Sequence, residues 1–530
     1  MFKKDKKNLI FLCICFVLVF LVYSQTLFGD FVFDDRLIVS HQIILENLNN
    51  IPQVLTMGYW TIESGLYRPV VLFTYLLNYS FFGSSPFSFH LVNLIFYALI
   101  GYLIFILIKR LFPKKQFLSY LIPILFLVLP IHSEVVANIV GRAEILALLF
   151  SLLAFLEIIK KNFNPWMLAM WLFLALGSKE VAIAAWPIAL LILFYRNKLF
   201  SFKIFFKKYF IPLFVPIFTY FTARILVLGP YFFITSATIV ENPLKFASFF
   251  QRISTSLQIL VIYIKKTFWP FNLCSDYSYN QIPIAESFFN LKTLLGLAIL
   301  LFFIITIIIF LGRKPILALG SAFFLFPFLV ISNLFFSTGT IAGERLMFYS
   351  SVGICIYLSY VLIYLSNLKP KKFFYYLAIV LFILLIIFYG SISFNRSIDW
   401  LTEKNLFISA AKCAPNSVLS RSNMATVYYF EGQYDEAEKE IKQAHQIYDK
   451  YSKAINNLGL VYWKKGEYDK AKKEYFRAIK NWPPYEGVYD NLILLELSQG
   501  NIEQAEKLIK TIFIDDPKAI DIYLKRYGFK

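Results

Sequence analysis

Two adjacent carboxylates, Asp34 and Asp35, follow the first apolar run of the chain, within the stretch QTLFGDFVFDDRLIVS. Two carboxylates that are held together usually have one raised pKa, which suits a group that removes a proton near neutral pH. Such a pair also suits a divalent cation. Taken alone, the stretch favours a simpler interpretation, in which it forms a solvated turn and Arg36 neutralises one of the aspartates.

Further ionisable residues lie in connectors that we place on the same side of the membrane as this pair. An ionisable group at a membrane is costly unless it is paired or wet, so these residues need an explanation. One explanation is structural, namely ion pairs and hydrogen bonds between helices. The other is a ring of acids and bases that binds the phosphate of a lipid-linked donor. The residues are Arg68, His90, His132, Glu134, Arg142, Glu144, Lys179, Glu180, Glu344 and Arg345.

The composition is too apolar for a soluble protein of this length. Of the 530 residues, 58% are hydrophobic and 19% aromatic, and the mean hydropathy is +0.63, whereas a soluble protein needs polar residues on its surface and loops. The formal charge of +19 does not indicate nucleic acid, because Lys and Arg cluster in short connectors between apolar runs. The composition therefore predicts a polytopic helical protein in a lipid bilayer.

Eleven apolar runs are candidates for spanning the bilayer. With the N-terminus in the cytoplasm, the connectors facing the cytoplasm hold 20 Lys and Arg and only two acids, Asp5 and Glu157, as the positive-inside rule requires. The run 253–273 is interrupted by IKKTFWPFN, and we predict a re-entrant or interfacial segment there. The predicted spans are 9–28, 90–108, 117–131, 144–159, 165–178, 181–195, 209–228, 291–311, 316–333, 345–366 and 373–392.

A repeated pattern follows the last apolar run. GQYDEA at 432–437, GEYDKA at 466–471 and GNIEQA at 500–505 recur at intervals of 34 residues, which is the tetratricopeptide period. Such helical repeats usually hold a peptide or protein segment in their concave face. We therefore predict a membrane domain at 1–395 and a repeat domain at 396–530. An odd number of spans places the repeats on the extracytoplasmic side, with Asp34 and Asp35.

Several stretches, in order along the chain, resemble one known family. They are FVFDDRLIV, YRPVVLFTYLLNYSFFG, PFSFHLVNLIFYAL, PIHSEVVANIVGRAEILALLF, SKE, SDYSYNQIP and ERLMFYSSVG, followed by the 34-residue repeats. This series resembles the transmembrane and TPR repeat-containing (TMTC) protein O-mannosyltransferases over nearly the whole chain. The resemblance implies the GT-C glycosyltransferase fold, an all-α multi-span bundle that uses polyprenyl-phosphate sugars as donors.

The resemblance also implies roles for particular residues. The acidic pair of the first extracytoplasmic loop falls on Asp34 and Asp35, one of which would be the catalytic base, and the acidic motif of the second loop falls on Glu134. The implied reaction is inverting attack by a Ser or Thr hydroxyl of a protein on the anomeric carbon, with lipid phosphate as the leaving group. The residues expected to bind the donor phosphate or sugar are Arg68, His90, His132, Arg142, Glu144, Lys179, Glu180 and Arg345.

Some points differ from the animal proteins or stay open. Three clear repeats are fewer than in the animal proteins, and the Lys-, Phe- and Ile-rich composition suggests a bacterial or archaeal member in the plasma membrane, whose sugar need not be mannose. A divalent cation at Asp34 and Asp35 is possible. Two alternative functions are a lipid-linked oligosaccharide ligase or polymerase and a non-catalytic scaffold. The early position of the acids in the chain argues against the ligase or polymerase. The scaffold does not explain the ring of acids and bases.

Overall fold

The computed structural model describes residues 6–40, 43–196, 206–233, 237–482, 486–512 and 517–529. Within these ranges the regular structure is helical and there is no strand, which confirms the all-α prediction. The α-helices are α1 Lys6–Tyr23, α2 Ile51–Leu55, α3 Pro69–Phe82, α4 Pro86–Leu111, α5 Gln116–Val128, α6 Ser133–Ala137, α7 Arg142–Ile158, α8 Pro165–Leu176, α9 Ala185–Arg196, α10 Ile211–Leu228, α11 Phe249–Phe268, α12 Leu291–Phe310, α13 Pro315–Ile331, α14 Ser351–Ser366, α15 Lys371–Ile398, α16 Glu403–Cys413, α17 Val418–Phe430, α18 Tyr434–Ile447, α19 Ser452–Lys464, α20 Tyr468–Asn481, α21 Glu486–Ser498, α22 Ile502–Ile512 and α23 Pro517–Arg526.

The chain forms two compact units. The membrane unit contains Met1–Ser275 and Ile284–Ser409, and the repeat unit contains Asp276–Pro283 and Ala410–Lys530. The repeat unit therefore begins later than the predicted residue 396. It also includes a short segment from the middle of the chain, which the sequence does not predict.

Several helices of the membrane unit are apolar enough to cross a bilayer. In the described part of the chain, six helical stretches have the length and apolar composition of a membrane span, and the bent pair Gln116–Val128 and Pro130–Ala137 would make a seventh. They are Lys6–Phe28, Pro86–Leu111, Ile139–Ile158, Lys208–Tyr231, Leu291–Phe310 and Lys371–Ile398. A bilayer admits only structures that satisfy their own backbone groups, so these runs form helices. The protein is a multi-pass membrane protein, and the count of eleven spans stays a prediction.

Short breaks interrupt the helices of the membrane unit, and one of them lies between α6 and α7. The helices α6 and α7 are separated at Asn138, whose side chain accepts a hydrogen bond from the amide of Val140. Only glycine fits at position 141, because an added Cβ would lie 2.0 Å from the carbonyl oxygen of Val135. Around this break α4 packs on α1, α5 and α7, and α7 packs on α8. The α6–α7 break therefore lies where several helices of the membrane unit meet.

The repeat unit consists of paired helices with short turns. The turns contain Gly432, Gly466 and Gly500, with φ of 75°, 77° and 78°. This left-handed conformation favours glycine and explains why the residue recurs at the repeat interval. The segment 276–283 is bound to the start of α17, where Ser420 donates to the carboxylate of Asp276 at 2.6 Å. The predicted tetratricopeptide repeats are confirmed by these helix pairs.

We predict that Gly459→Val destabilises the repeat unit. A Cβ at Gly459 of α19 would lie 2.4 Å from the ring of the buried Tyr475 on α20, and overpacking of this kind costs about 1–3 kcal/mol. Thermal unfolding of the full chain in detergent should show a lower midpoint for the repeat transition. Lys453→Ala, at an exposed position of the same helix, is the matched control. Equal midpoints for Gly459→Val and wild type would contradict the packing described here.

Candidate functional site

The Asp35 side chain joins the loop that follows α1, called the first loop, to the break between α6 and α7. Its carboxylate accepts hydrogen bonds from the backbone amides of Val32 at 3.3 Å, Ile139 at 3.4 Å and Val140 at 2.9 Å. The residue is completely buried. Because the three donors come from two separate segments, this carboxylate fixes where the first loop lies on the membrane unit.

The neighbouring Asp34 has a different environment. It is only half-buried, and it follows Phe33, whose φ of 50° is unusual for a residue with a bulky side chain. Arg36, which the simpler interpretation of this stretch assigns to an aspartate, forms an ion pair with Glu403 at 2.6 Å. The turn thus places two adjacent carboxylates in two environments, one completely buried and one half-buried.

Burial raises the pKa of Asp35 to about 8. The three backbone amides oppose this change by stabilising the ionised carboxylate, and the charge of Asp34 adds to it. The net direction follows from the loss of water around a completely buried carboxyl group, since burial disfavours its charged form.

Two buried acids near this loop are paired with basic side chains. Glu134 accepts a hydrogen bond of 2.7 Å from the guanidinium of Arg345 and one of 3.1 Å from its backbone amide. Glu144, at the start of α7, is bound by the ammonium group of Lys179. A small cavity lies between these pairs, and its lining includes Glu144, Lys179, Arg345 and Tyr349.

A third group of charges surrounds Glu180. Arg68 donates to this carboxylate from two nitrogens, at 2.9 and 3.2 Å, and Arg224 approaches its other oxygen at 3.3 Å. Burial alone would raise the pKa of Glu180, but the two arginines lower it to about 2. The Arg68 guanidinium also lies 4.9 Å from the centre of the Tyr59 ring, a typical cation–π distance.

Electrostatic interactions connect these groups into one charged cluster. Burial lowers the pKa of Arg345, but the charges of Glu134, Asp34 and Glu144 more than reverse this effect. Burial also lowers the pKa of Lys179, where the attraction of Glu144 opposes the repulsion of Arg68 and Arg345. The predicted residues that the structure brings together are Asp34, Arg68, Glu134, Glu144, Lys179, Glu180 and Arg345.

Three other predicted residues lie within the helix bundle. Arg142 is completely buried and donates to Asn93 at 2.7 Å and Asn78 at 3.1 Å. His132 is hydrogen-bonded through both ring nitrogens, to the hydroxyls of Tyr97 and Ser351.

His90 is also buried, and its Nε2 lies beneath Gly29, where an added Cβ would approach to 3.3 Å. For Arg142 and His132, the geometry favours the structural explanation, hydrogen bonding between helices.

Arg224 and Tyr59 also belong to the charged cluster, although neither is among the residues predicted from the sequence. Arg224 joins three elements, because it also donates to the carbonyl oxygens of Gly65 at 2.6 Å and Phe232 at 3.2 Å. Its position in the apolar run 209–228 identifies it from the sequence as a candidate, since an arginine in a membrane segment is rarely without a role. The sequence around Tyr59 carries no such signal.

The contacts of Asp35 argue against a two-carboxylate metal site. Both of its oxygens accept hydrogen bonds from backbone amides, so these donors compete with a cation for the carboxylate. In the described part of the chain, no three or more His, Cys, Asp or Glu side chains are grouped so that they could hold a metal ion.

Comparison with known proteins supports the resemblance described above. The family model "Protein O-mannosyl-transferase TMTC, DUF1736" matches residues 235–305, and a tetratricopeptide-repeat model matches 416–483. A protein O-mannosyl-transferase of Caenorhabditis elegans is 29% identical over 441 residues, which cover 81% of this chain and 62% of that protein. The resemblance to the TMTC family is confirmed.

Two human proteins show how far the likeness to the TMTC family extends. Protein O-mannosyl-transferase TMTC1 is 26% identical over 82% of this chain and 55% of its own length. TMTC4 is 27% identical over 74% of this chain and 60% of its own length. The chain therefore spans less than two thirds of these TMTC relatives.

We predict that Asp35 makes folding stability fall as the pH rises. The ordinary carboxyl pKa of 3.8 applies to the unfolded chain, and the folded value is about 8. Between these values the unfolded chain loses a proton that the folded chain keeps, so each pH unit favours unfolding by up to about 1.4 kcal/mol.

The measurement for this prediction is the thermal midpoint of wild type and Asp35→Asn in detergent from pH 5 to 8. The wild-type midpoint should fall relative to that of the variant as the pH rises, since the other groups titrate in both proteins. A constant difference between them would contradict the burial of an ionisable group at this position.

Proposed function

We propose that the protein is a membrane-embedded glycosyltransferase that moves a sugar, mannose in the first instance, from a polyprenyl-phosphate to Ser or Thr hydroxyls of proteins. The observation that carries the proposal is the charged cluster, in which the charge of the half-buried Asp34 acts on Arg345, and Arg345 and Lys179 line a small cavity. The names of the similar proteins support the same reaction class.

Asp34 is the proposed base. It is the more accessible of the two aspartates, whereas Asp35 is occupied by three backbone amides. In the reaction, the hydroxyl oxygen forms a bond to the anomeric carbon, the bond from that carbon to the phosphate oxygen breaks, and the hydroxyl proton passes to Asp34. One base suffices for this inverting displacement, and the lipid phosphate leaves with the bonding electrons.

The charges of the cluster suit this reaction. The carboxylates of Asp34, Glu134, Glu144 and Glu180 are matched by the cations of Arg68, Lys179, Arg224 and Arg345. When the phosphate diester becomes a monoester it gains one negative charge, and Asp34 loses one by taking the proton. The net charge is thus unchanged during transfer, and Arg345 and Lys179, which line the cavity, are the proposed phosphate ligands.

We place this site and the repeat unit on the extracytoplasmic side. The support is the excess of Lys and Arg in the connectors assigned to the cytoplasm. The repeats would engage the acceptor protein, because tetratricopeptide superhelices commonly hold an extended segment.

The test of Asp34 is a transfer assay with purified protein, polyprenyl-phosphate-mannose and secreted proteins of the host. Asp34→Asn should lower transfer of radiolabelled mannose by about 10²–10⁴-fold, because a positioned general base contributes about that much. Its melting temperature should stay close to the wild-type value, since Asp34 is only half-buried and asparagine keeps the size and shape of the side chain.

The matched control is Glu46→Gln, which removes a carboxylate from an exposed position of the same connector. This variant should retain wild-type transfer. Full activity in Asp34→Asn would show that Asp34 is not the base. Absence of transfer by the folded wild type from a panel of lipid-phosphate sugars would favour the scaffold alternative.

A further inference from the structure

A second charged feature of the membrane unit lies away from the Asp34 site, at the carboxyl ends of α4 and α7. A groove of about 520 Å³ is found there. The charged side chains that line it, Lys109, Arg110, Lys160 and Lys161, are all basic, and the remaining lining residues are Pro113, Ile159 and Asn162. Four cations along one open groove repel one another, so an anionic ligand would be stabilised there.

The positive charge of the groove is only partly neutralised by the protein. The acid closest in sequence is Glu157, which is 1% exposed and accepts hydrogen bonds from Lys160 and the backbone amide of Asn164. The carboxyl end of each helix contributes about half a negative charge. Together these offset about two of the four positive charges, and an excess of about two remains.

Arg196 supplies a further positive charge beside the groove. It donates to the carbonyl oxygens of Ile158 and Lys160 at the end of α7, so these backbone acceptors are already occupied. Arg110 and Lys161 are exposed, and neither forms an ion pair with another residue in the described ranges. These two side chains are therefore available to a ligand.

We propose that this groove binds the phosphate headgroup of an anionic membrane lipid. Both helices are long and apolar enough to cross a bilayer, which places their basic ends at the level of the headgroups. Basic pockets between membrane helices commonly bind such headgroups. The lipid's acyl chains would lie along the apolar helix surfaces, an arrangement that a free phosphate ion cannot use. The proposal is independent of the glycosyltransferase activity.

The test is native mass spectrometry of the full chain, purified in detergent and titrated with phosphatidylglycerol or phosphatidylcholine. Wild type should retain phosphatidylglycerol preferentially. Arg110→Gln/Lys161→Gln should weaken this binding by about tenfold or more, because each basic side chain contributes about 1 kcal/mol at an anionic membrane surface. Thermal unfolding without added lipid should confirm that the variant is folded.

The matched control is Arg313→Gln/Lys314→Gln, which removes two exposed charges from another basic connector outside the groove. It should retain wild-type affinity to within about twofold. Equal losses in both double variants would overturn the proposal, since general surface charge would then explain the binding. Displacement of phosphatidylglycerol by an equal concentration of inorganic phosphate would also overturn it, because the groove would then be a site for free phosphate.

Discussion

The Asp35 carboxylate is the interaction on which the arrangement of the site depends. It is buried and accepts amides from the first loop and from the α6–α7 break. Removing one partner from a buried polar contact leaves the others unsatisfied, at a cost of about 1–3 kcal/mol for each neutral group. The contact therefore constrains the loop strongly, and the position of Asp34 follows from it.

The membrane setting explains why the remaining charges are paired. Glu134, Glu144 and Glu180 each lie against a basic side chain that comes from a distant part of the sequence. Unpaired charges in this environment would be expensive, and breaking such a pair costs about 3–5 kcal/mol. The same pairs hold the connectors of α3, α6–α7, α8–α9 and α13–α14 together. A cluster that is suited to a phosphate is thus also a structural junction.

Much of the fold could be predicted from local patterns. Apolar runs indicated the membrane helices, and glycine at intervals of 34 residues indicated the repeats because the turns need a positive φ. The segment 276–283 could not be assigned to the repeat unit in this way. Its hydrogen bonds, such as that from Val418 to the carbonyl oxygen of Tyr279, join residues far apart in sequence.

The site was predictable only in part, because its contacts also join residues that are far apart in sequence. The sequence shows that connectors between apolar runs carry ionisable residues, such as Asp34, Glu134, Lys179 and Arg345. It does not show which of these charges form pairs. Arg142 shows the limit, since its partners Asn78 and Asn93 come from other helices and make it part of the bundle. Whether an aspartate points into the protein or out of it also depends on distant contacts, so the sequence did not distinguish Asp34 from Asp35.

The different roles of the two aspartates can be tested most directly by amide hydrogen exchange. Exchange would be followed by mass spectrometry for peptides covering 136–144 in wild type, Asp35→Ala and Asp34→Ala. We predict faster exchange at Ile139 and Val140 in Asp35→Ala and wild-type exchange in Asp34→Ala. Unchanged exchange in Asp35→Ala, or equal acceleration in both variants, would contradict the structural role of Asp35.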